Sequence, residues 1–333
     1  MSESRYSLVA DIGGTNARFA LVGEGSLTPI ESRSLRCADY ATLVDATLAY
    51  IDQAGLGKPY QAAMSIASPV TGDLLHMTNH SWRFSVSETR QALGLEHLKV
   101  LNDYTALALA LPTFGDDQRI QVGGGEGLAG HPLAVIGPGT GLGVSGLVPA
   151  GDHWLPLESE GGHVSYGPLN AREQAIIDIM REELQHVSAE SLVSGRGLSL
   201  IHQAISRLEN GTPDRLAAAE ITERALLQNC PLATEALDVF CNVFGTVAGN
   251  LALTLGARGG VYIGGGIVPR LIDFFLRSGF RERFEKHGRL TAYLRAVPTF
   301  IIDTDYPALV GAAVALGEAY AGVGVTSRES VSG

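Results

Sequence analysis

Short apolar runs alternate with amphipathic stretches along the first part of the chain. Residues 6–10 are apolar and end at Asp11, and a second apolar run follows at about 17–22. Residues 39–54 carry apolar positions at helical spacing, and residues 61–67 form a further run of strand length. Strand-length runs that alternate with helical periodicity predict an α/β fold.

The strand, glycine-rich turn and strand of the N-terminus occur a second time. An apolar run at 132–136 leads into a turn at 137–141 and a strand at 142–148. Two such turns in like context suggest two lobes that face one ligand. The remaining predicted elements are strands at 97–101, 260–263 and 299–303 and helices at 104–111, 171–186, 195–208, 220–229, 232–256, from about Pro269, and at 308–321.

Composition narrows the class of protein. The 333 residues are 45% hydrophobic and 18% charged, which is enough to build a large core, and their net charge is -11. A nucleic-acid binder would show a basic excess or a basic stripe, so we expect no nucleic-acid partner. Glycine, proline and polar residues break the apolar stretches at 133–150 and 243–268, which predicts core elements rather than membrane spans. We expect the small, polar tail after Gly322 to fray.

The cysteine pattern and the N-terminal sequence indicate the cellular location of the protein. Cys37, Cys230 and Cys241 make an odd count without CxxC spacing, which argues against a disulfide framework and a zinc site. The first residues lack a basic segment followed by a long apolar one, so no secretory signal is evident. We therefore expect a cytoplasmic protein.

The first glycine turn places a carboxylate at the end of a strand. Asp11 is followed by Gly13 and Gly14, then by the polar side chains of Thr15 and Asn16. Backbone N–H groups of glycine approach phosphate oxygens without a Cβ in the way, and Asp11 could hold Mg²⁺ through water or phosphate. The alternative interpretation of this segment is a glycine-rich hairpin in which Asp11 is only a turn residue.

The second glycine turn has four glycines in seven residues, from Gly137 to Gly143. It lacks the lysine of a P-loop and opens a strand rather than the helix of a dinucleotide fingerprint. An ordinary turn remains the alternative, but pairing with the first turn favours phosphate binding. The candidate nucleotide residues here and in the third glycine run are Gly137, Gly139, Thr140, Gly141, Gly264, Gly265 and Gly266.

Three further segments carry candidate chemistry. Asn102 and Asp103 follow a strand, where open α/β sheets bind ligands, and Asp103 could be a general base or only a helix N-cap. Glu160 and His163 lie on a glycine loop and suit a ligand with many hydroxyls, with metal binding as the weaker alternative. Glu190 is either a further sugar ligand or a partner of a helix dipole.

These segments resemble those of the proteobacterial-type ATP-dependent glucokinases, within the hexokinase–actin superfamily. The two phosphate motifs are similar to DIGGTNAR at 11–18 and GPGTGLG at 137–143, and the adenosine motif to GGGIVPR at 264–270. The segment of the catalytic aspartate resembles LNDYTA at 101–106. The remaining similarities are sugar-side segments at 68–73, 77–82, 160–166 and 186–195, so the likeness spans nearly the whole chain in order.

The resemblance implies a two-lobed actin-like sugar kinase fold with ribonuclease H-like duplicated lobes and a central cleft. It implies a small α/β domain of residues 1–113 plus 304–333 and a large one of residues 114–303. It further implies ATP and Mg²⁺ as cofactors, glucose as the sugar and a homodimer as the assembly. Asn102, Asp103, Glu160, His163 and Glu190 would bind glucose, and Asp103 would take the proton of O6.

The chain departs from the family sequence at one place, and two alternatives to a glucokinase function stay open. The family usually has Pro-Gly before the EGGH sequence, where this chain has Glu158 and Ser159, which bears on sugar affinity. A kinase of the same fold could act on mannose, fructose or glucosamine, and ADP or polyphosphate could be the phosphate donor. A sugar-sensing regulator would bind without phosphorylating, but a plausible base at Asp103 favours the enzyme.

Overall fold

The computed structural model describes residues 5–78, 80–317, 320 and 323–328. The chain divides into two compact units. The first unit comprises Met1–Phe114, Ala150–Glu158 and Thr304–Gly333. The second unit comprises Gly115–Pro149 and Ser159–Asp303.

The helices and strands are numbered in chain order. The elements up to Ala110 are β1 (Tyr6–Ile12), β2 (Asn16–Gly23), β3 (Ile30–Arg36), α1 (Leu43–Ala54), β4 (Gln61–Ile66), β5 (Leu74–His76), β6 (Arg83–Ser85), α2 (Val86–Leu93), β7 (His97–Asn102) and α3 (Asp103–Ala110). The chain continues with β8 (Arg119–Val122), β9 (Leu133–Pro138), β10 (Leu142–Ala150), β11 (His153–Leu157), α4 (Ala171–Arg181), α5 (Gly195–Asn210), α6 (Ala218–Leu226) and α7 (Pro231–Leu255). The last elements are β12 (Gly260–Ile263), α8 (Ile272–Arg277), α9 (Phe280–Glu285), α10 (Thr291–Arg295), β13 (Thr299–Ile302), α11 (Pro307–Ala315) and β14 (Val325–Arg328).

The first unit is built on a six-stranded sheet in the order β14-β7-β4-β1-β2-β3. Strands β1, β4 and β7 are parallel, so their carboxyl ends lie at the same edge. Helices α3 and α11 pack together, and a Cβ on Gly311 would overlap the carbonyl oxygen of Ala106. This close approach of two helix backbones requires glycine at position 311 and supports α3, which begins at Asp103.

The second unit repeats the strand pattern of the first. Strand β9 pairs antiparallel with β10 and parallel with β12, just as β1 pairs with β2 and β4. Strand β12 pairs parallel with β13, whose other neighbour β8 is antiparallel. The internal repeat that the two glycine turns predicted is therefore confirmed at the level of whole sheets.

The longest helix, α7, is the centre of the core in the second unit. By length and composition it could cross a membrane, but 67% of its most apolar window is buried inside the protein. Phe240 and Phe244 are fully buried and pack against each other, and Phe244 also packs against Phe275 and Phe280. Burial of this kind is typical of a core helix.

A buried ion pair joins three helices of the second unit. Arg283 of α9 donates to Glu173 of α4 over 2.6 Å and to Thr246 of α7 over 3.0 Å. Glu173 also accepts hydrogen bonds from the Tyr166 hydroxyl at 2.8 Å and from the backbone N–H of Leu169 at 2.9 Å. The charged pair is thus satisfied on several sides, which a buried pair needs in order to be tolerated.

The C-terminal tail differs from its sequence-based prediction. Instead of fraying, Val325–Arg328 forms β14, which pairs antiparallel with β7 and places Val325 opposite Val100. The prediction was wrong because β7 would otherwise leave a free sheet edge, which a short segment with valine and threonine can cover. The predicted helix at 308–321 is observed as Pro307–Ala315, and its predicted residues 318, 319 and 321 lie outside the described residues, as do 329–333.

Candidate active site

The sheet of the first unit brings two carboxylates to one edge. Asp11 lies near the carboxyl end of β1, opposite Ser65 of the parallel neighbour β4. Ile66, the last residue of β4, lies opposite Asn102, and Asp103 follows directly. Adjacent parallel strands therefore carry Asp11 and Asp103 to the same edge, as their positions at strand ends indicated.

Asn102, rather than Asp103, caps helix α3. The Asn102 side-chain oxygen accepts hydrogen bonds from the backbone N–H groups of Tyr104 at 2.9 Å and Thr105 at 3.3 Å. Its amide nitrogen donates to the carbonyl oxygen of Ser68 over 3.3 Å. Asp103 is the first helical residue, and its Oδ1 accepts from the N–H of Tyr104 at 2.9 Å. The simple N-cap explanation of Asp103 is therefore wrong.

Burial makes both carboxylates harder to ionise than usual. Burial first, and then the negative charge of Asp11, raise the pKa of Asp103 to about 7. Burial also raises the pKa of Asp11, although Arg18 and Ser65 act in the opposite direction. A carboxylate with a pKa near neutral pH is well matched to accepting and releasing a proton.

Asp11 is already hydrogen-bonded on both oxygens. Ser65 Oγ donates to Oδ1 over 3.1 Å, and Arg18 Nη1 donates to Oδ2 over 3.2 Å. Among the residues that the structure describes, no group of three His, Cys, Asp or Glu side chains could hold a metal ion. These contacts fit a carboxylate that meets a metal through water better than one of several direct ligands.

The first glycine turn is held by its neighbours in the first unit. The N–H of Gly13 donates to the carbonyl oxygen of Asn16 over 3.0 Å. The N–H of Cys37 donates to the carbonyl oxygen of Thr15 over 2.9 Å, and the Cys37 thiol lies 3.5 Å from the carbonyl oxygen of Gly13. These hydrogen bonds fix the backbone of the turn, while the Thr15 side chain is exposed to solvent.

The second glycine turn is fixed by the third within the second unit. Gly139 donates to the carbonyl oxygen of Gly141 over 2.8 Å and accepts from the N–H of Gly195, at the start of α5, over 2.9 Å. Gly265 has a φ of 81°, and a Cβ there would lie 2.9 Å from the carbonyl carbon of Pro138. Glycine at 265 is therefore needed both for its backbone conformation and for the close approach of the two turns.

Glu160 and His163 lie on an exposed loop of the second unit. Glu160 precedes a short 3-10 helix, Gly161–His163, of which His163 is the last residue, and the N–H of His163 donates to the carbonyl oxygen of Glu160 over 3.0 Å. Both side chains are exposed, and no hydrogen bond of either is found among the described residues. Ser159 Oγ accepts from the N–H of Gly161 at 3.0 Å, so one of the two residues that depart from the family pattern stabilises the loop.

Glu190 connects this loop to the second glycine turn. Its backbone N–H donates to the carbonyl oxygen of Gly162 over 2.8 Å. Its side-chain Oε2 accepts from the N–H of Leu142 at 2.8 Å. Helix α5 begins only at Gly195, so the interpretation of Glu190 as a partner of a helix dipole is wrong.

A cavity of about 830 Å³ opens in the second unit beside the glycine turns. Its volume is within the range of sites that bind small molecules and cofactors. Its lining comprises Gly139, Thr140, Gly195, Leu198, Ala218, Ala219, Thr222, Glu223, Leu226, Leu227, Gly266, Ile267, Arg270 and Leu271.

The structure thus groups the predicted residues in two sets. The first unit holds Asp11, the turn at 13–16, Asn102 and Asp103, and the second unit holds Glu160, His163, Glu190 and the turns at 137–141 and 264–266. Asn79, in the sugar-side segment at 77–82, lies outside the described residues.

Several residues that contact or line these sets were not predicted from the sequence. Arg18 and Ser65 contact Asp11, and α6 forms one wall of the cavity. Arg18 could have been found, because a hairpin with a short turn places it opposite Asp11 on the neighbouring strand. Helix α6 gave no such signal, since Ala218 and Ala219 carry no chemistry that a pattern could mark.

Comparisons with known proteins agree with this geometry. The family model described as glucokinase matches residues 8–319. A glucokinase from Aromatoleum aromaticum is 52% identical over 322 residues, which cover 96% of this chain and 97% of the relative. The crystal structure of a glucokinase from an Antarctic psychrotroph matches with a TM-score of 0.86 and 37% identity, and it covers 93% of this chain and 98% of that one.

A more distant structure shows the fold alone. It is a glucokinase of the ROK family from Streptomyces griseus, solved in complex with glucose and AMPPNP. Its TM-score is 0.61 at 21% identity, and the match covers 92% of this chain and 98% of that one. The fold predicted from the sequence, the two-lobed α/β fold of the actin-like sugar kinases, is confirmed. The glucokinase family model matches nearly the whole chain, and a glucokinase relative shares about half of its residues. This chain therefore belongs to the glucokinase family.

Proposed function

We propose that this protein transfers the γ-phosphate of ATP to O6 of glucose, with Asp103 as the catalytic base. The observation that carries the proposal is the raised pKa of Asp103, at about 7, on a carboxylate that is not needed to cap its helix. A hydroxyl proton can pass to such a group as the new bond to phosphorus forms. Membership of the glucokinase family supports glucose as the acceptor.

The side chains that would hold the sugar are those of Asn102, Asp103, Glu160, His163 and Glu190. Carboxylate oxygens accept hydrogen bonds from sugar hydroxyls, and a histidine ring can donate or accept. Glu160 and His163 are exposed and have no side-chain hydrogen bond to any residue that the structure describes, which supports this role because their polar groups are available to a ligand.

The nucleotide would occupy the cavity of the second unit. Leu198, Leu226 and Ile267 offer apolar surface to a purine ring, and Gly139 and Thr140 of the second glycine turn line the same cavity. A Cβ added to Gly139 would meet nothing within 4 Å, so its backbone faces open space that a phosphate group could fill. The complex of the Streptomyces griseus neighbour with AMPPNP supports ATP as the donor.

Mg²⁺ is the implied metal of this reaction. It would neutralise charge on the phosphate oxygens, and Asp11 would hold it through bound water. Ser65 and Arg18 fix the orientation of the Asp11 carboxylate for this purpose. The remaining ligands would come from water and the nucleotide.

The chemical step is an in-line displacement at the γ-phosphorus. The bond from O6 to phosphorus forms, the bond from phosphorus to the bridging oxygen breaks, and ADP leaves. Asp103 orients O6 and accepts its proton. The transition state is loose, so most of the acceleration comes from positioning and electrostatic stabilisation.

A coupled assay of ADP release tests the proposal across acceptors and donors. We expect kcat/KM to be highest for glucose among glucose, mannose, fructose and glucosamine, and for ATP among ATP, ADP and polyphosphate. A higher value for another hexose would identify a kinase of the same fold with a different sugar. Glucose binding without any phosphorylation would contradict the enzyme and favour a sugar-sensing protein.

Assembly and location complete the proposal. A homodimer is supported by the family resemblance, and analytical ultracentrifugation would give a mass twice that of the chain. A cytoplasmic location is supported by the three cysteines, none of which forms a disulfide, and by the burial of helix α7. Fractionation of cells would test it.

A further inference from the structure

We infer that Gly141 is a positioning residue for the sugar, through its contact with Glu190, rather than a contact for the phosphate. The inference rests on the proposed function. Gly141 belongs to a turn whose glycines suggest nucleotide binding, yet its immediate neighbour is the carboxylate of a proposed sugar ligand.

The space beside Gly141 is filled by Glu190. A Cβ built on Gly141 would overlap Oε2 of Glu190 and would lie 3.2 Å from its carboxyl carbon. The same Oε2 accepts from the N–H of Leu142 over 2.8 Å. The absence of a side chain at 141 therefore leaves room for Oε2 of Glu190, and the N–H of Leu142 holds that oxygen in place. The other oxygen, Oε1, remains for a ligand.

The backbone gives no other reason for glycine at this position. Gly141 does not have the positive φ that side chains avoid, unlike Gly265 at 81°. The three heavy atoms nearest to the Cβ of an alanine at 141 all belong to the carboxylate of Glu190, at the end of a flexible side chain, so we expect the carboxylate to move and the fold to remain. The effect of this substitution should therefore appear in the sugar site and not in stability.

Gly139 provides a matched control in the same turn. It also lacks a positive φ, and a Cβ there would meet nothing within 4 Å. Gly139 lines the cavity that we assign to the nucleotide, whereas Gly141 does not. The two glycines, two residues apart, are thus expected to serve different substrates.

The test is to measure KM for glucose and for ATP in Gly141→Ala and Gly139→Ala. We expect Gly141→Ala to raise the KM for glucose by about tenfold, the effect of losing one well-placed hydrogen bond to a charged group, with little change in the KM for ATP. Gly139→Ala should raise the KM for ATP and leave that for glucose unchanged. If Gly141→Ala raises only the KM for ATP, or neither value, the inference is wrong.

A double-mutant cycle tests whether Gly141 acts through Glu190. In the Glu190→Ala background, Gly141→Ala should have almost no further effect on glucose, because the displaced group is absent. Fully additive effects of the two substitutions would overturn the inference. Equal thermal unfolding of Gly141→Ala and the wild type would exclude general damage, and absence of glucose phosphorylation in the wild type would instead contradict the proposed function.

Discussion

The negative charge of Asp11 contributes to raising the pKa of Asp103 to about 7, because parallel strands carry both carboxylates to one edge of the sheet. Burial contributes more than Asp11 does. The ionised form of Asp103 is therefore costly in the folded protein, and this cost has consequences for stability and for rate.

The first prediction concerns stability and pH. The pKa of Asp103 rises from 3.8 in the unfolded chain to about 7 in the folded one, so stability that is present below pH 3.8 is lost as pH rises through about 7. Asp103→Asn removes this loss. We expect the Tm of the variant, relative to the wild type, to increase from pH 5 to pH 8 when metal and nucleotide are absent.

The control for this experiment is Asp117→Asn, which removes a carboxylate from an exposed position of the second unit. Its Tm difference from the wild type should be the same at both pH values. A Tm difference for Asp103→Asn that stays constant from pH 5 to pH 8 would contradict the raised pKa.

The second prediction concerns the proposed base. Asp103→Asn should keep the fold and lower kcat by about 100- to 10,000-fold, the range typical of general base catalysis. Steady-state kinetics with glucose and ATP measure this, and circular dichroism checks the fold. A variant that retains more than about a tenth of the wild-type kcat would refute Asp103 as the base.

The third prediction concerns the sugar ligands. Glu160→Gln, His163→Ala and Glu190→Gln should each lower kcat/KM for glucose by about tenfold or more, because a bound hydroxyl loses its partner. Calorimetry should show ATP binding close to that of the wild type. Normal glucose kinetics in all three variants would mean that the sugar binds elsewhere.

The fourth prediction concerns the cavity. Ala219 of α6 is exposed and lines the cavity, so Ala219→Phe should fill part of it without disturbing the core. We expect a large rise in the KM for ATP. Glucose binding by the same variant serves as the internal control, and loss of glucose binding together with normal ATP binding would assign the cavity to the sugar.

The fifth prediction concerns the buried ion pair. Glu173→Ala should lower the free energy of unfolding by about 3–5 kcal/mol, because Arg283 would remain buried without its partner. Asp178→Ala, which breaks the exposed pair with Arg181, should cost at most about 1 kcal/mol. Denaturant unfolding compares the two, and similar losses for both would contradict the importance of burial.

The pattern of apolar runs and glycine turns was enough to predict the α/β class, the internal repeat and most long elements. These features could be predicted because strand periodicity, helix periodicity and turn glycines are all visible in residues that are neighbours in the sequence. The local sequence also indicated Asp103 and Glu190 as candidate functional residues. It left open whether Asp103 was only a helix N-cap and whether Glu190 only interacted with a helix dipole.

Tertiary structure decided what depends on residues far apart in the chain. Parallel pairing of β1, β4 and β7 made Asp11 a neighbour of Ser65 and an electrostatic partner of Asp103. The tail became a strand only because β7 offered an edge. The contact between Gly141 and Glu190 joins residues 49 positions apart in the chain, and no local pattern marks it because packing alone requires the missing Cβ.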